Sequence, residues 1–222
     1  MVIEKNTVKN GLNFFYLSLY AFAGLGLEVL LAFLIEPLIY GKNPNDFSIA
    51  ENILHWTLTC IIWAVVSLTL IKVAKKKYSF DIFSYKDSIG LKNWILCFAL
   101  LSISVIIHVI DWNGFKVEKE FFNNGWLKFI FQYIYYLFET TLFVLIIVFA
   151  QKAGDIWLRK KNIPWGGILV AITWGLAHVF TKGELSIGIL TSLAGLLYGI
   201  VYLVSKKNLN IAYPLIFLMF VL

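Results

Sequence analysis

Two ionisable residues, Glu139 and His178, lie inside neighbouring apolar runs of this sequence. If the runs cross a membrane, both side chains are costly to bury, so they mark a functional site by default. A glutamate can act as a general base toward water, and a histidine can orient that water or stabilise developing charge. The two residues are therefore the first candidates for acid–base chemistry. The alternative is a polar contact that only fixes helix packing.

The depths of Glu139 and His178 in their spans are compatible with contact. At a rise of about 1.5 Å per residue, Glu139 lies roughly 16 Å along its helix from Ala150. His178 lies roughly 21 Å along the next helix from Pro164. Because neighbouring spans run antiparallel, the spacing predicts that the two side chains meet a little outside the midplane.

The composition predicts an all-α polytopic bundle of transmembrane helices in a single domain, residues 1–222. Of the 222 residues, 60% are hydrophobic and 14% are charged, and the mean hydropathy is +0.80. Soluble domains are about 45–50% apolar, so a lipid bilayer, with the cell membrane as the expected location, is the predicted environment. The apolar runs predict about seven spans, at 12–40, 53–73, 93–112, 125–150, 164–181, 185–204 and 209–222.

The loops between these spans alternate in positive charge. Of the 19 Lys and Arg residues, 14 fall in the N-terminal segment and in every second loop after it. The other five are Lys42, Lys116, Lys119, Lys128 and Lys182. Cytoplasmic loops carry the excess of Lys and Arg, so the pattern predicts a cytoplasmic N-terminus and an external C-terminus.

The net charge of +6 is spread over these loops, so we expect no nucleic-acid partner. The sequence has no HExxH motif and no Cys/His cluster, so we expect neither a metal site nor a cofactor. Cys60 and Cys97 fall inside apolar spans, where small packing residues are expected. The segment 151–162 mixes basic and apolar residues and is equally compatible with an interfacial helix or a charged loop.

The remaining polar residues of the spans have weaker predicted roles. Glu28 lies deep in the first span, where either a structural hydrogen bond or a supporting role in the site is expected. Glu36 lies beside Pro37 and is predicted to be interfacial, as are His55 and His108 at the ends of their spans. Gly188, Gly195 and Gly199 are predicted to permit close helix packing, since the last two form a small-xxx-small pattern.

The order of these features resembles the CPBP family (CAAX proteases and bacteriocin-processing enzymes, also called Abi) over about residues 131–222. Members carry a Glu-Glu-x-x-x-Arg motif, then Phe-x-x-x-His, then His-x-x-x-Asn. Glu139 and Thr140 stand at the paired glutamates, and Trp174-x-x-x-His178 resembles the second motif. The connection into the third motif resembles the segment from Gly195 through Lys207-Asn208-Leu209 to Pro214.

The resemblance implies a multi-span intramembrane endopeptidase in which a glutamate activates water and histidines assist. Members are linked to the processing of prenylated proteins, bacteriocin maturation or self-immunity. On that pattern Glu139 and His178 would be catalytic, with Thr140, Glu28 and Trp174 in support. The resemblance assigns no metal ion to this site.

Four family positions carry other residues here. Thr140 replaces the second glutamate, Val144 the arginine, Leu218 the second histidine and Leu222 the asparagine. Loss of one oxyanion donor typically costs about 10²–10³ in rate. The favoured hypothesis is therefore a protein with lost or reduced peptidase activity that binds a membrane protein or peptide. An active protease using Glu139 and His178, and an unrelated small transporter-like protein, are the alternatives.

Overall fold

The computed structural model describes residues 2–222, with side chains for all of these except residues 2–9 and 182. The described chain is helical, without strands, so the all-α prediction is confirmed. Short π-helical segments at Leu31–Ile35 and Ala171–Gly175 interrupt two of the helical runs. The α-helices are α1 (Val2–Leu30), α2 (Glu36–Tyr40), α3 (Ile49–Tyr78), α4 (Leu91–Asp111), α5 (Lys116–Trp157), α6 (Trp165–Val170), α7 (Leu176–Lys182), α8 (Leu185–Val204) and α9 (Leu209–Val221).

Five helical runs in the described part of the chain are long and apolar enough to cross a membrane. They are Asn10–Tyr40, Ile49–Tyr78, Leu91–Asp111, Lys116–Trp157 and Leu185–Val204. The two other predicted spans coincide with the shorter apolar helices Trp165–Thr181 and Leu209–Val221. The chain is thus a multi-pass membrane protein by helix length and composition.

Local sequence explains where α3 begins and ends. Ser48 Oγ accepts from the Glu51 backbone N–H at 3.4 Å, and Glu51 Oε2 accepts from the Ser48 N–H at 2.6 Å. This reciprocal capping box satisfies two backbone donors at the helix start. Lysines in the last turn complement the negative end of the helix dipole, and Lys75 pairs with Asp81 at 2.8 Å.

Helix α5 is the centre of the bundle. Every residue from Leu142 to Ala150 is buried, and α1, α3, α6 and α9 pack around α5. The outer helices expose large apolar side chains such as Leu38 and Phe180, as expected for surfaces in contact with lipid. Helix α5 continues to Trp157, so the first half of the segment 151–162 is helical and the rest is a loop.

The helical run of α5 contains a sharp reversal at Gly125. A straight helix would separate residues 120 and 136 by about 24 Å. Instead, the Tyr136 hydroxyl donates to Glu120 Oε1 at 2.6 Å. Gly125 adopts φ 68° and ψ 168°, a region essentially restricted to glycine. Residues 116–124, hereafter the hairpin arm, therefore fold back alongside the start of the long segment 126–157.

Glycine–glycine contact sets the separation of α6 and α8. A Cβ on Gly199 would lie 2.3 Å from the Gly167 Cα. We expect Gly199→Ala to destabilise the fold by about 1–3 kcal/mol, because backbone atoms must move to accept the methyl group. The measurement is the midpoint of thermal unfolding of the purified protein in detergent.

Gly26→Ala is the matched control, because Gly26 is also helical and a Cβ there meets nothing within 4 Å. Alanine is the better helix former, so this control should be neutral or stabilising. Equal midpoints for the two variants would show that the α6–α8 contact tolerates a methyl group, contrary to this account.

Candidate functional site

Glu139 and His178 line one cavity of about 1070 Å³. Its walls come from α1, α3, α4, α5, α7, α8, α9 and both π-helical segments, and Asn45, Trp112 and Glu184 lie at its rim. These rim residues lie in the connections between α2 and α3, α4 and α5, and α7 and α8, at the same end of the bundle. Glu139 lies near the middle of 126–157, and only 9% of its surface is exposed. The cavity therefore brings both candidate catalytic residues to one space.

Trp174 contacts both candidates. Its indole Nε1–H donates to Glu139 Oε1 at 3.0 Å, and its carbonyl oxygen lies 2.8 Å from His178 Nδ1. The Trp174 and His178 rings are 4.7 Å apart in an edge-to-face arrangement. With Nδ1 donating to the carbonyl, Nε2 of the neutral imidazole is an acceptor. Trp174 thus fixes the orientation of Glu139 and His178.

The π-helical segment Ala171–Gly175 carries Trp174 at the cavity wall. Its wider turn leaves backbone carbonyls available, and α8 supplies hydroxyl donors to them. Ser192 Oγ donates to the Ala171 carbonyl and Thr191 Oγ1 to the Gly175 carbonyl, each at 2.9 Å. Single π-helical turns of this kind occur often at functional sites.

The proposed supporting residues lie in different places. Glu28 lines the cavity and accepts from the Tyr135 hydroxyl at 2.7 Å. Thr140 is fully buried away from the cavity, and its Oγ1 has no hydrogen-bond partner among the described groups. Thr140 is therefore not among the residues that face the cavity.

Gly188 and Gly195 lie where α8 meets the helices before it. A Cβ at Gly188 would lie 2.1 Å from Val179 Cγ2. One at Gly195 would lie 2.7 Å from Val170 Cγ1. These glycines let α8 approach closely, and that approach holds the Trp174–His178 segment against the cavity.

His55 lies between two carboxylates, an arrangement that the sequence reasoning missed. His55 Nδ1 is 2.8 Å from Glu36 Oε2, and Nε2 is 3.5 Å from Glu28 Oε1. Glu36 and His55 are only 1% and 8% exposed, so the two side chains pair inside the bundle. The eight-residue spacing of Glu28 and Glu36 could have indicated a shared helix face.

A second buried network joins the hairpin arm to the long segment 126–157 of α5. Glu120 accepts from Gln132 Nε2 at 3.2 Å and from the Tyr133 and Tyr136 hydroxyls at 3.0 and 2.6 Å. These contacts depend on the reversal at Gly125, which the apolar periodicity did not reveal. Glu120 therefore anchors the hairpin arm at the edge of the cavity.

Lys116 also lies at the cavity wall, with 7% of its surface exposed. Its Nζ donates to the Phe220 carbonyl at 2.8 Å. The same Nζ lies 4.9 Å from the centre of the Tyr136 ring and 4.7 Å from that of Phe220. Both distances are within the range of cation–π attraction.

The described cavity walls combine acidic and aromatic groups. Five carboxyl-bearing residues line the cavity, whereas Lys116 is the one lysine among the described lining side chains. In the described part of the chain, no three His, Cys, Asp or Glu side chains converge as metal ligands. The carboxyl residues are Glu28, Asp111, Glu120, Glu139 and Glu184.

Comparisons with protein-family models, curated proteins and solved structures found no match. Of the positions that depart from the CPBP pattern, Val144 is buried in the core of α5 and Leu218 lies on α9 away from the cavity lining.

Proposed function

We propose that this chain is a CPBP-like integral membrane protein that binds a membrane protein or peptide, with lost or reduced endopeptidase activity. The observation that carries this proposal is the cavity, which joins Glu139, Trp174 and His178 in about 1070 Å³. Cavities of about 300–1,000 Å³ accommodate drug-sized ligands, so this one is large enough for several side chains of a peptide.

The contacts of Glu139 favour binding over catalysis. A general base needs a positioned water, and a peptidase also needs a donor for the developing oxyanion. Trp174 Nε1 already donates to Glu139 Oε1, and Thr140 lies away from the cavity. Leucines stand where the family's second histidine and asparagine would supply further polar groups.

An active glutamate-dependent protease is the second candidate. It is favoured by the shared cavity of Glu139 and His178 and by the acceptor that Nε2 of a neutral His178 would present. In that mechanism, Glu139 would take a proton from water, and His178 would orient the water or stabilise developing charge. The two candidates differ in whether the bound chain is cut.

Photo-crosslinking from neighbouring positions on α8 tests the proposal. Leu190 lines the cavity, whereas Ile189 is exposed outside it. A benzophenone amino acid at position 190 should capture a partner chain in native membranes, and the same group at position 189 should not. The captured chain should have the same length in the parent protein and in its Glu139→Gln variant.

Other results would contradict the proposed function. Equal capture at 189 and 190, or none at 190, would exclude a partner in the cavity. If the parent protein released fragments and Glu139→Gln retained the intact chain, the protease candidate would replace it.

We infer seven spans with the N-terminus in the cytoplasm, on the basis of the 14-to-five division of positive residues. A membrane-impermeant maleimide applied to whole cells should label Asn43→Cys, and should label Ser84→Cys only after the membrane is opened. Both positions are exposed loop residues at opposite ends of α3. The reverse labelling pattern would overturn the orientation.

A further inference from the structure

We propose that the cavity binds the ammonium group of a lysine side chain presented by the partner. This inference rests on the proposed function and names the chemistry that the cavity recognises. Three observations carry it: the contacts of Lys116, the aromatic composition of the walls and the excess of carboxyl groups.

Lys116 shows that one end of the cavity already accommodates an alkylammonium group. Its Nζ donates to a backbone carbonyl and lies against two aromatic rings, although the side chain is nearly buried. Burial of an ammonium is costly unless hydrogen bonds and charge partners compensate for lost water. Lys116, which belongs to the hairpin arm, therefore shows how the cavity holds an ammonium group of the kind that the ligand would present.

The rest of the cavity wall offers aromatic rings and carboxyl groups. Trp56, Trp112 and Trp174 line it, and aromatic rings attract cations more strongly when water is excluded. The lining carboxyl groups would attract a cation into this partly enclosed space. A neutral or anionic side chain would gain neither interaction.

Glu139 and Glu28 both line the cavity, and Glu139 is the carboxylate assigned to receive the ligand, because Glu28 already accepts from Tyr135 and pairs with His55. Glu120 already accepts from three side chains that hold the hairpin arm, so we assign it a structural role. Glu28 and Glu139 lie on the adjacent helices α1 and α5, and both line the cavity. A lysine entering from the rim would pass Asp111 and Glu184 before it reaches them.

Two short peptides that differ at one position provide the probe. Acetyl-Leu-Leu-Lys-Leu-Leu-amide and its glutamine counterpart would be titrated into the purified full-length protein in uncharged detergent. Binding would be followed by calorimetry. We expect the lysine peptide to bind at least about tenfold more tightly, with a preference that weakens in salt because charged attraction is screened.

Glu139→Gln should remove most of the preference for lysine. Asp81→Asn is the matched control, because it also removes one carboxylate but lies in the loop after α3, outside the cavity. The control should retain the preference. Equal unfolding midpoints for the two variants would show that a lost preference does not reflect lost folding.

Lys116→Met provides an independent check. It keeps an unbranched apolar side chain and removes the resident positive charge, so the lysine peptide should bind several-fold more tightly. Unchanged or weaker binding by a folded Lys116→Met protein would contradict a shared ammonium site.

The outcomes separate this inference from the proposed function. Equal binding of both peptides would overturn lysine recognition and leave peptide binding standing. Absence of binding by either peptide would also overturn lysine recognition, whereas the crosslinking result at Leu190 would still decide whether a partner occupies the cavity. A lysine preference that survives Glu139→Gln would exclude Glu139 as the receiving carboxylate.

Discussion

Replacing His55 with leucine is expected to lower the free energy of unfolding by about 3–5 kcal/mol. His55 separates Glu36 from Glu28, and each of its ring nitrogens faces one carboxylate. Without the imidazole, the buried Glu36 and the partly exposed Glu28 would remain close together with fewer partners. Glu36 is 1% exposed, so water cannot replace the lost contact.

Unfolding midpoints in detergent, together with the yield of folded protein, would measure this effect. The matched control is Leu58→Ala, on the same helix but partly exposed on the outer surface. The triple variant Glu28→Gln, Glu36→Gln, His55→Leu should recover much of the lost stability, because it removes the charges as well as their partner. A His55→Leu protein as stable as the parent would contradict the assigned pairing.

Gly125→Val is expected to release the hairpin arm. A β-branched residue cannot adopt φ 68° and ψ 168° without strain of about 1–3 kcal/mol. Because a Cβ at Gly125 meets nothing within 4 Å, the penalty comes from the clash of the side chain with its own backbone and not from neighbouring residues. The chain can relieve it by giving up the contacts of Glu120 and Lys116.

Hydrogen–deuterium exchange would detect this release as faster exchange of amides in residues 116–124. Gly90→Val is the control, since Gly90 also has open space around a Cβ but has an ordinary φ of −75°. Exchange in the control should match that of the parent. Unchanged protection of the arm in Gly125→Val would show that the reversal does not depend on glycine.

The sequence predicted the helical class because an apolar run of about 20 residues that crosses a bilayer must satisfy its own backbone hydrogen bonds, and an α-helix does so. It also placed Glu139 and His178 on neighbouring helices, and both line the cavity. It missed the hairpin arm, because one glycine between two helical stretches does not disturb an apolar pattern. The reversal at Gly125 follows from a single pair of backbone angles.

Side-chain partners across helices were the least predictable part of the site. Trp174 was expected in a supporting role by its place in the second family motif, but the contact of its indole N–H with Glu139 was not predicted. His55 lay too near a span end to suggest a buried position, and its burial depends on how α1 and α3 pack. Such contacts depend on how the helices pack together, which the local periodicity of the sequence does not reveal.

Water access to engineered cysteines tests the central claim, a hydrated cavity shared by Glu139 and His178, most directly. Ala177 and Ala194 line the cavity, whereas their neighbours Leu176 and Leu193 are exposed on the outer surface. In a background with Cys60 and Cys97 changed to alanine, a water-soluble maleimide should label cysteines at 177 and 194 rapidly. It should label those at 176 and 193 slowly, because lipid covers them. Equal rates at all four positions, or faster labelling at 176 and 193, would contradict the hydrated cavity and the function proposed for it.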